Sequence, residues 1–83
     1  MNELSPRDRV ILAFEERVWA HDGAKVDAIR TSFGMTPTTY YHHVLRIAGL
    51  PAAVAEFPML TKRIQRQVRE AAAARASSRF KVS

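Results

Sequence analysis

Four polar side chains recur on one face of a helix that the sequence predicts over residues 37–48. They are Thr38, Thr39, His42 and Arg46. A rotation of about 100° per residue places them together, pointing away from the apolar side of the helix. Arginine can donate to guanine O6 and N7 or to a phosphate, threonine can bond a phosphate, and histidine can donate or accept at a base edge. The pattern therefore favours a helix that contacts duplex DNA.

The rest of this helix predicts how its polar face is presented. The residues expected to face a core are Pro37, Tyr40, Val44, Ile47 and Ala48. Thr36 precedes a proline, which is typical of an N-cap followed by the first helical position, and its hydroxyl is a further candidate for a phosphate contact. Tyr41 is either a DNA contact or a boundary residue. Leu45 lies on the outer side, where the last helix or a second protomer could cover it.

A second helix is predicted immediately before, and a tight turn joins the two. Val26, Ile29 and Phe33 share one face, and Asp22 is the expected N-cap. Gly34 can adopt the left-handed conformation that ends a helix. Two helices joined by a short turn containing glycine form a helix-turn-helix, whose second helix enters the DNA major groove.

The charge distribution supports a polyanionic partner. The chain has 83 residues and a net charge of +5. Residues 1–60 carry six Lys or Arg against seven acids, whereas residues 61–83 carry seven basic residues against Glu70 alone. The expected phosphate contacts on the last helix are Lys62, Arg63, Arg66 and Arg69. A merely solvated charged face is the alternative.

The remaining pattern predicts an all-α fold of four to five helices. A first helix is expected from Pro6 to about His21, with Val10, Ile11, Phe14 and Val18 buried and with its charged residues, Glu15 among them, mostly facing water. Trp19 either seals the edge of the core or anchors an interface. A short helical turn is expected over residues 51–56.

A last helix is predicted from Pro58 to about Arg75. Its apolar side is expected to consist of Leu60, Ile64, Val68 and Ala71. These elements would form one small helix-turn-helix domain over residues 1–75 with a basic C-terminal helix, followed by a flexible basic tail over residues 76–83.

Several classes of function are disfavoured. The chain has no cysteine, and the adjacent His42 and His43 lack the i, i+4 spacing that brings two imidazoles to one metal. No glycine-rich phosphate loop is present. We therefore expect no catalytic activity, cofactor, metal site or small-molecule substrate. The absence of a signal peptide or an apolar span favours a cytoplasmic protein without a membrane partner.

Residues 34–47 resemble a known DNA-binding pattern. The order Gly34-Met35-Thr36-Pro37-Thr38-Thr39-Tyr40, followed by Val44, Arg46 and Ile47, is similar to the turn and recognition helix of sigma-factor region 4 and of response regulators. Over roughly residues 11–70 the chain also resembles a family of short actinobacterial proteins with a single helix-turn-helix. This second resemblance rests on Phe14-Glu15, Trp19, Gly23-Ala24-Lys25, Phe33-Gly34-Met35, Tyr40-Tyr41 and Pro58-Met59-Leu60.

The resemblance implies a small protein that binds double-stranded DNA, associated with the nucleoid or with regulation of transcription. The alternative is an adaptor that docks on RNA polymerase or on a partner regulator, with Trp19 and Leu45 as candidate anchors. Both a monomer and a two-fold homodimer fit the sequence.

Overall fold

Five α-helices make up the part of the chain that a computed structural model describes, which comprises residues 3–81 and the side chains up to Ser77. The helices are α1 (Pro6–Glu15), α2 (Asp22–Phe33), α3 (Pro37–Ala48), α4 (Pro51–Glu56) and α5 (Pro58–Lys81). No strand occurs in this described part. The expected all-α class is confirmed. Within residues 3–81, none of the helices has the length and apolar character that a membrane crossing requires.

The first helix begins as expected but ends early. Ser5 caps it by accepting a bond from the Asp8 amide at 3.1 Å. The helix ends at Glu15 rather than near His21. Beyond it the chain folds back, so that the Trp19 ring lies 5.0 Å from the Phe14 ring, measured between centroids. Packing of these two aromatic side chains opposes a continued helix, because residues five apart do not share a helical face.

The early end changes which side chains of this region are buried. Val18 is 97% exposed and Val10 is 55% exposed, so the prediction that both are buried is wrong. Leu12, which was not expected in the core, is fully buried beside Ile11. Trp19 is half-buried and packs against the core. It therefore seals the core edge, as one of the two interpretations expected.

The segment from α2 to α3 has the expected bounds at its turn and second helix. Gly34 has φ 63°, in the left-handed region, and its N–H donates to Arg30 O at 2.8 Å. Thr36 caps α3 by accepting from the Thr39 amide at 3.2 Å. The N-cap of α2 is His21, whose Nδ1 accepts from the Ala24 amide at 3.0 Å, and the expectation of Asp22 is wrong.

One apolar core joins all five helices. Its fully buried large apolar side chains come from α1, α2 and α3, and they are Ile11, Leu12, Ile29, Tyr40, Val44 and Ile47. An exposed ion pair between Arg9 Nη2 and Glu56 Oε1, 2.6 Å apart, also ties α1 to α4. The hydrogen bond from Arg9 lowers the pKa of Glu56. The short helix expected over residues 51–56 is confirmed.

The last helix is longer than expected. It continues to Lys81 rather than ending near Arg75, so its 24 residues extend over about 36 Å. Leu60 and Ile64 are buried, but Val68 is 45% exposed and Ala71 is also exposed, so only half of the expected apolar stripe reaches the core. Residues 76–81 of the expected tail are helical, and residues 82–83 lie outside the described residues. The flexibility of this end stays a prediction.

Candidate nucleic-acid interface

The four outward residues expected on α3 lie exposed on one face of it. Thr38, Thr39, His42 and Arg46 are exposed, while Tyr40, Val44, Ile47 and Ala48 on the opposite side are buried. Burial of one side fixes the rotation of α3 about its own axis, so the outer face is presented to solvent in a single orientation. The amphipathic pattern of this helix was sufficient to predict that orientation.

The N-terminal end of α3 is ordered by threonine hydroxyls. Thr36 Oγ1 accepts from the Thr39 amide and donates to Thr39 Oγ1 at 3.1 Å. These bonds hold Thr39 close to the turn. Thr38 has no such side-chain partner among the described residues, so its hydroxyl is available to a ligand.

Arg46 is held by side chains that the sequence did not reveal as its partners. Its Nη2 lies 3.2 Å from Asp8 Oδ1 on α1 and 3.3 Å from His43 Nδ1 on α3. The Asp8 side chain is only 14% exposed, whereas the Arg46 side chain is 52% exposed. Arg46 is the single cation on the outer face of α3. The largely buried Asp8 carboxylate therefore offsets its charge.

A second polar network lies nearer the N-terminal end of α3. Glu15, expected to face water, has a side chain that is only 11% exposed. It accepts from the Tyr40 hydroxyl at 2.7 Å and lies 3.0 Å from Lys25 Nζ. The Lys25 ammonium also lies 4.9 Å from the centroid of the Tyr41 ring. One carboxylate thus connects α1, α2 and α3.

Burial and bonding shift two pKa values in this network. Burial and then the hydrogen bond to Glu15 raise the pKa of Tyr40, so the phenol stays protonated. Burial lowers the pKa of Lys25, but its interactions with Tyr41 and Glu15 outweigh burial, and the net shift is upward. The sequence did not predict the burial of Glu15 or its bond to Tyr40. Glu15 is the last residue of α1, where periodicity says little about burial.

The basic residues of α5 divide into two groups. Lys62, Arg63 and Arg66 are exposed and line a depression together with Glu16, at the end of α1. Arg63 Nη2 also donates to Glu15 O at 3.4 Å. Arg69 instead lines a groove beside α3. The structure therefore brings only one of the four expected phosphate contacts next to the α3 helix.

That groove between α3 and α5 is apolar at its base. Leu45 and Val68 lie in it, 47% and 45% exposed, with Ala48, Gly49 and Arg69 around them. Tyr41, 39% exposed, continues the groove toward the start of α3. The last helix, α5, was one of the two elements expected to cover Leu45, and it covers this side chain only partly.

The histidines of α3 do not assemble a metal site with other ligands. His42 is exposed and His43 is half-buried beside Arg46. Within the described part of the chain, no three His, Cys, Asp or Glu side chains lie close enough together to hold a metal ion.

These elements define a small all-α domain in which a three-residue turn joins α2 to α3, and α3 presents a polar face. The chain belongs to the family described as a protein of unknown function, DUF3263, whose model matches residues 3–79. No curated protein and no solved structure matches the chain. The likeness of residues 34–47 to sigma-factor region 4 and the likeness to short actinobacterial proteins stay predictions.

Proposed function

We propose that this protein is a non-enzymatic DNA-binding protein, associated with the nucleoid or with regulation of transcription, whose α3 helix enters the major groove. One observation carries the proposal. Thr38, Thr39, His42 and Arg46 share an exposed face, and the other face of the same helix is anchored in the core. A rigidly held polar helix of this kind is the element that helix-turn-helix proteins insert into DNA.

The α3 helix supplies contacts to bases but little electrostatic attraction. Arg46 is its only fixed cation, and Asp8 opposes that charge in the free protein. Neutralisation of phosphates provides most of the affinity of such proteins at moderate salt. The basic side chains of α5, which are Lys62, Arg63, Arg66 and Arg69, and those of residues 75–83 are therefore the proposed source of phosphate contacts. Among the first four, Arg69 lies beside α3. Thr36, the N-cap of α3, and Tyr41, at the side of that helix, complete the proposed interface.

This division of roles is tested by salt titration. Each neutralised phosphate contributes a slope of about −0.9 to the plot of log K against log salt, so four to six contacts give roughly −4 to −5. We expect removal of residues 75–83 to flatten the slope without altering the preferred sequence. Arg46→Ala should instead weaken discrimination between sequences. A slope unchanged by truncation would contradict the proposed role of the C-terminal end.

A protein-binding adaptor is the second candidate, and the groove beside α3 favours it. Leu45 and Val68 leave an apolar surface that DNA does not require. A helix of RNA polymerase or of a partner regulator could occupy that surface. A gel shift with random duplex DNA at low salt separates the two candidates. Absence of a shift at micromolar protein concentration would favour the adaptor.

A further inference from the structure

The helices α3 and α5 lie side by side and run in opposite directions. Gln65 Nε2 donates to Ala48 O at 3.4 Å, near the end of α3. Further along α5, Val68 shares the groove with Leu45. Ala71 then lines the same groove together with Tyr41, near the start of α3. Residue numbers therefore rise along α5 as they fall along α3.

This register directs the second half of α5 past the N-terminal end of α3. Arg75 follows Ala71 by four residues, about 6 Å along the axis, on the same face of the helix. Residues 71–77 are all exposed, so this half of α5 extends beyond the core. Arg75 thus comes next in the row that Val68 and Ala71 begin, on the side of α5 that contacts α3.

The dimensions of DNA determine which part of the duplex a helix packed beside α3 contacts. An α-helix with its side chains is about 10–12 Å across, and the major groove is about 12 Å wide, so α3 fills the groove. Two packed helices have axes about 8–10 Å apart. A helix beside α3 cannot share the groove and lies instead over the sugar-phosphate strand that borders it.

The charges along α5 identify which of its residues is available to bind a phosphate of this strand. Lys62, Arg63 and Arg66 lie near Glu16, which opposes their attraction to a phosphate. Arg75 takes part in none of the ion pairs found among the described residues. It is therefore a cation available on the α3 side of the extended half of the helix.

We propose that Arg75 binds a phosphate of the DNA strand that borders the groove entered by α3, next to the N-terminal end of that helix. This inference rests on the proposed function, because it assumes that α3 enters the groove. It adds a contact residue that the amphipathic pattern of α5 did not indicate. The extended half of α5 then acts as an arm along the flanking strand.

Salt titration of three variants tests the contact. Binding of a short random duplex is measured by fluorescence anisotropy between about 50 and 200 mM salt. We expect Arg75→Ala to reduce the steepness of the log–log slope by about 0.9, and Arg75→Lys to retain the wild-type slope. Arg9→Ala, which removes an equal charge that is paired with Glu56 on α4, should leave the slope unchanged. Alanine preserves the helix at position 75 because it has the highest helix propensity.

The outcomes separate this inference from the proposed function. A wild-type protein that does not bind duplex DNA would overturn both. A wild-type protein that binds with a steep salt dependence, together with an unchanged slope for Arg75→Ala, would overturn only the Arg75 contact. Equal losses for Arg75→Ala and Arg75→Lys would also overturn it, because a phosphate contact needs only the positive charge.

Directed cleavage tests where residue 75 lies on the DNA, independently of its contribution to the binding free energy. The chain has no cysteine, so a single cysteine can carry an iron chelate that cuts nearby DNA backbone. Arg75→Cys should direct cleavage to the strand adjacent to the site protected by the protein. The comparison variant Arg9→Cys, on the part of α1 that lies beside the C-terminal end of α3, should give no cleavage there. Cleavage of equal strength from both positions would contradict the proposed path of α5.

Discussion

The Arg46 guanidinium lies 3.2 Å from the Asp8 carboxylate, and this contact links the exposed face of α3 to the first turn of α1. The Asp8 side chain is mostly buried, so it cannot move outward into solvent together with Arg46. In the proposed complex with DNA, Arg46 must therefore leave Asp8, or share its donors, to bond a guanine or a phosphate. The contact lowers the net positive charge on the outer face of α3.

Replacement of Asp8 should strengthen DNA binding. Asp8→Asn keeps the shape of the side chain but removes the charge that competes for Arg46. Exposed ion pairs contribute about 0.2–1 kcal/mol, so we expect the affinity for duplex DNA to rise by up to about fivefold. The measurement is the dissociation constant at fixed low salt. In an Arg46→Ala background the same change should have no effect, and a gain that persists there would show that Asp8 acts by another route.

Loss of the Tyr40 hydroxyl should destabilise the domain. Tyr40→Phe removes the 2.7 Å bond to Glu15 and leaves the ring in the core. Hydrogen bonds to charged groups contribute about 1.5–3 kcal/mol, and we expect the free energy of unfolding in urea to fall by this amount. Tyr41→Phe, at an exposed neighbouring position, is the matched control and should change stability little. Equal effects of the two variants would mean that the Glu15 bond is unimportant.

The domain should lose stability in alkali. The pKa values of Tyr40 and Lys25 are raised in the folded state from ordinary values of 10.0 and 10.5. The folded protein therefore retains protons that the unfolded chain releases, and this contribution to stability is complete below about pH 10 and lost as the pH rises further. Urea midpoints measured on both sides of that pH should show the decline. Tyr40→Phe should make it shallower, whereas an identical decline in the variant would exclude Tyr40 as its cause.

Gly34, in the turn before α3, should tolerate no side chain without strain. Gly34 has φ 63°, and a Cβ added there would meet no atom within 4 Å, so only the backbone conformation opposes substitution. We expect Gly34→Ala to cost about 1–2 kcal/mol of unfolding free energy. Gly49→Ala is the matched control, since Gly49 has φ −85° and its replacement should be neutral or stabilising. A neutral Gly34→Ala would contradict the strain.

The bounds of α3 and the orientation of its two faces followed from sequence because the signals are local. Thr36, Pro37 and Gly34 fix the ends of the helices through bonds within a few residues, and the apolar spacing of α3 fixes its buried side. The end of α1 did not follow, since it depends on the packing of Trp19 against Phe14. That contact involves side chains five residues apart in a segment where helical periodicity continues.

The sequence by itself determined the all-α class, the turn at Gly34, and the residues on each face of α3. Only the tertiary structure decided that Asp8 holds Arg46, that Glu15 joins three helices, and that Val68 and Arg75 lie on the part of α5 that leaves the core. The physical reason is the separation along the chain over which each interaction acts. Caps and periodicity act within one or two turns of helix, whereas these pairings join residues up to 38 positions apart and depend on how whole helices pack.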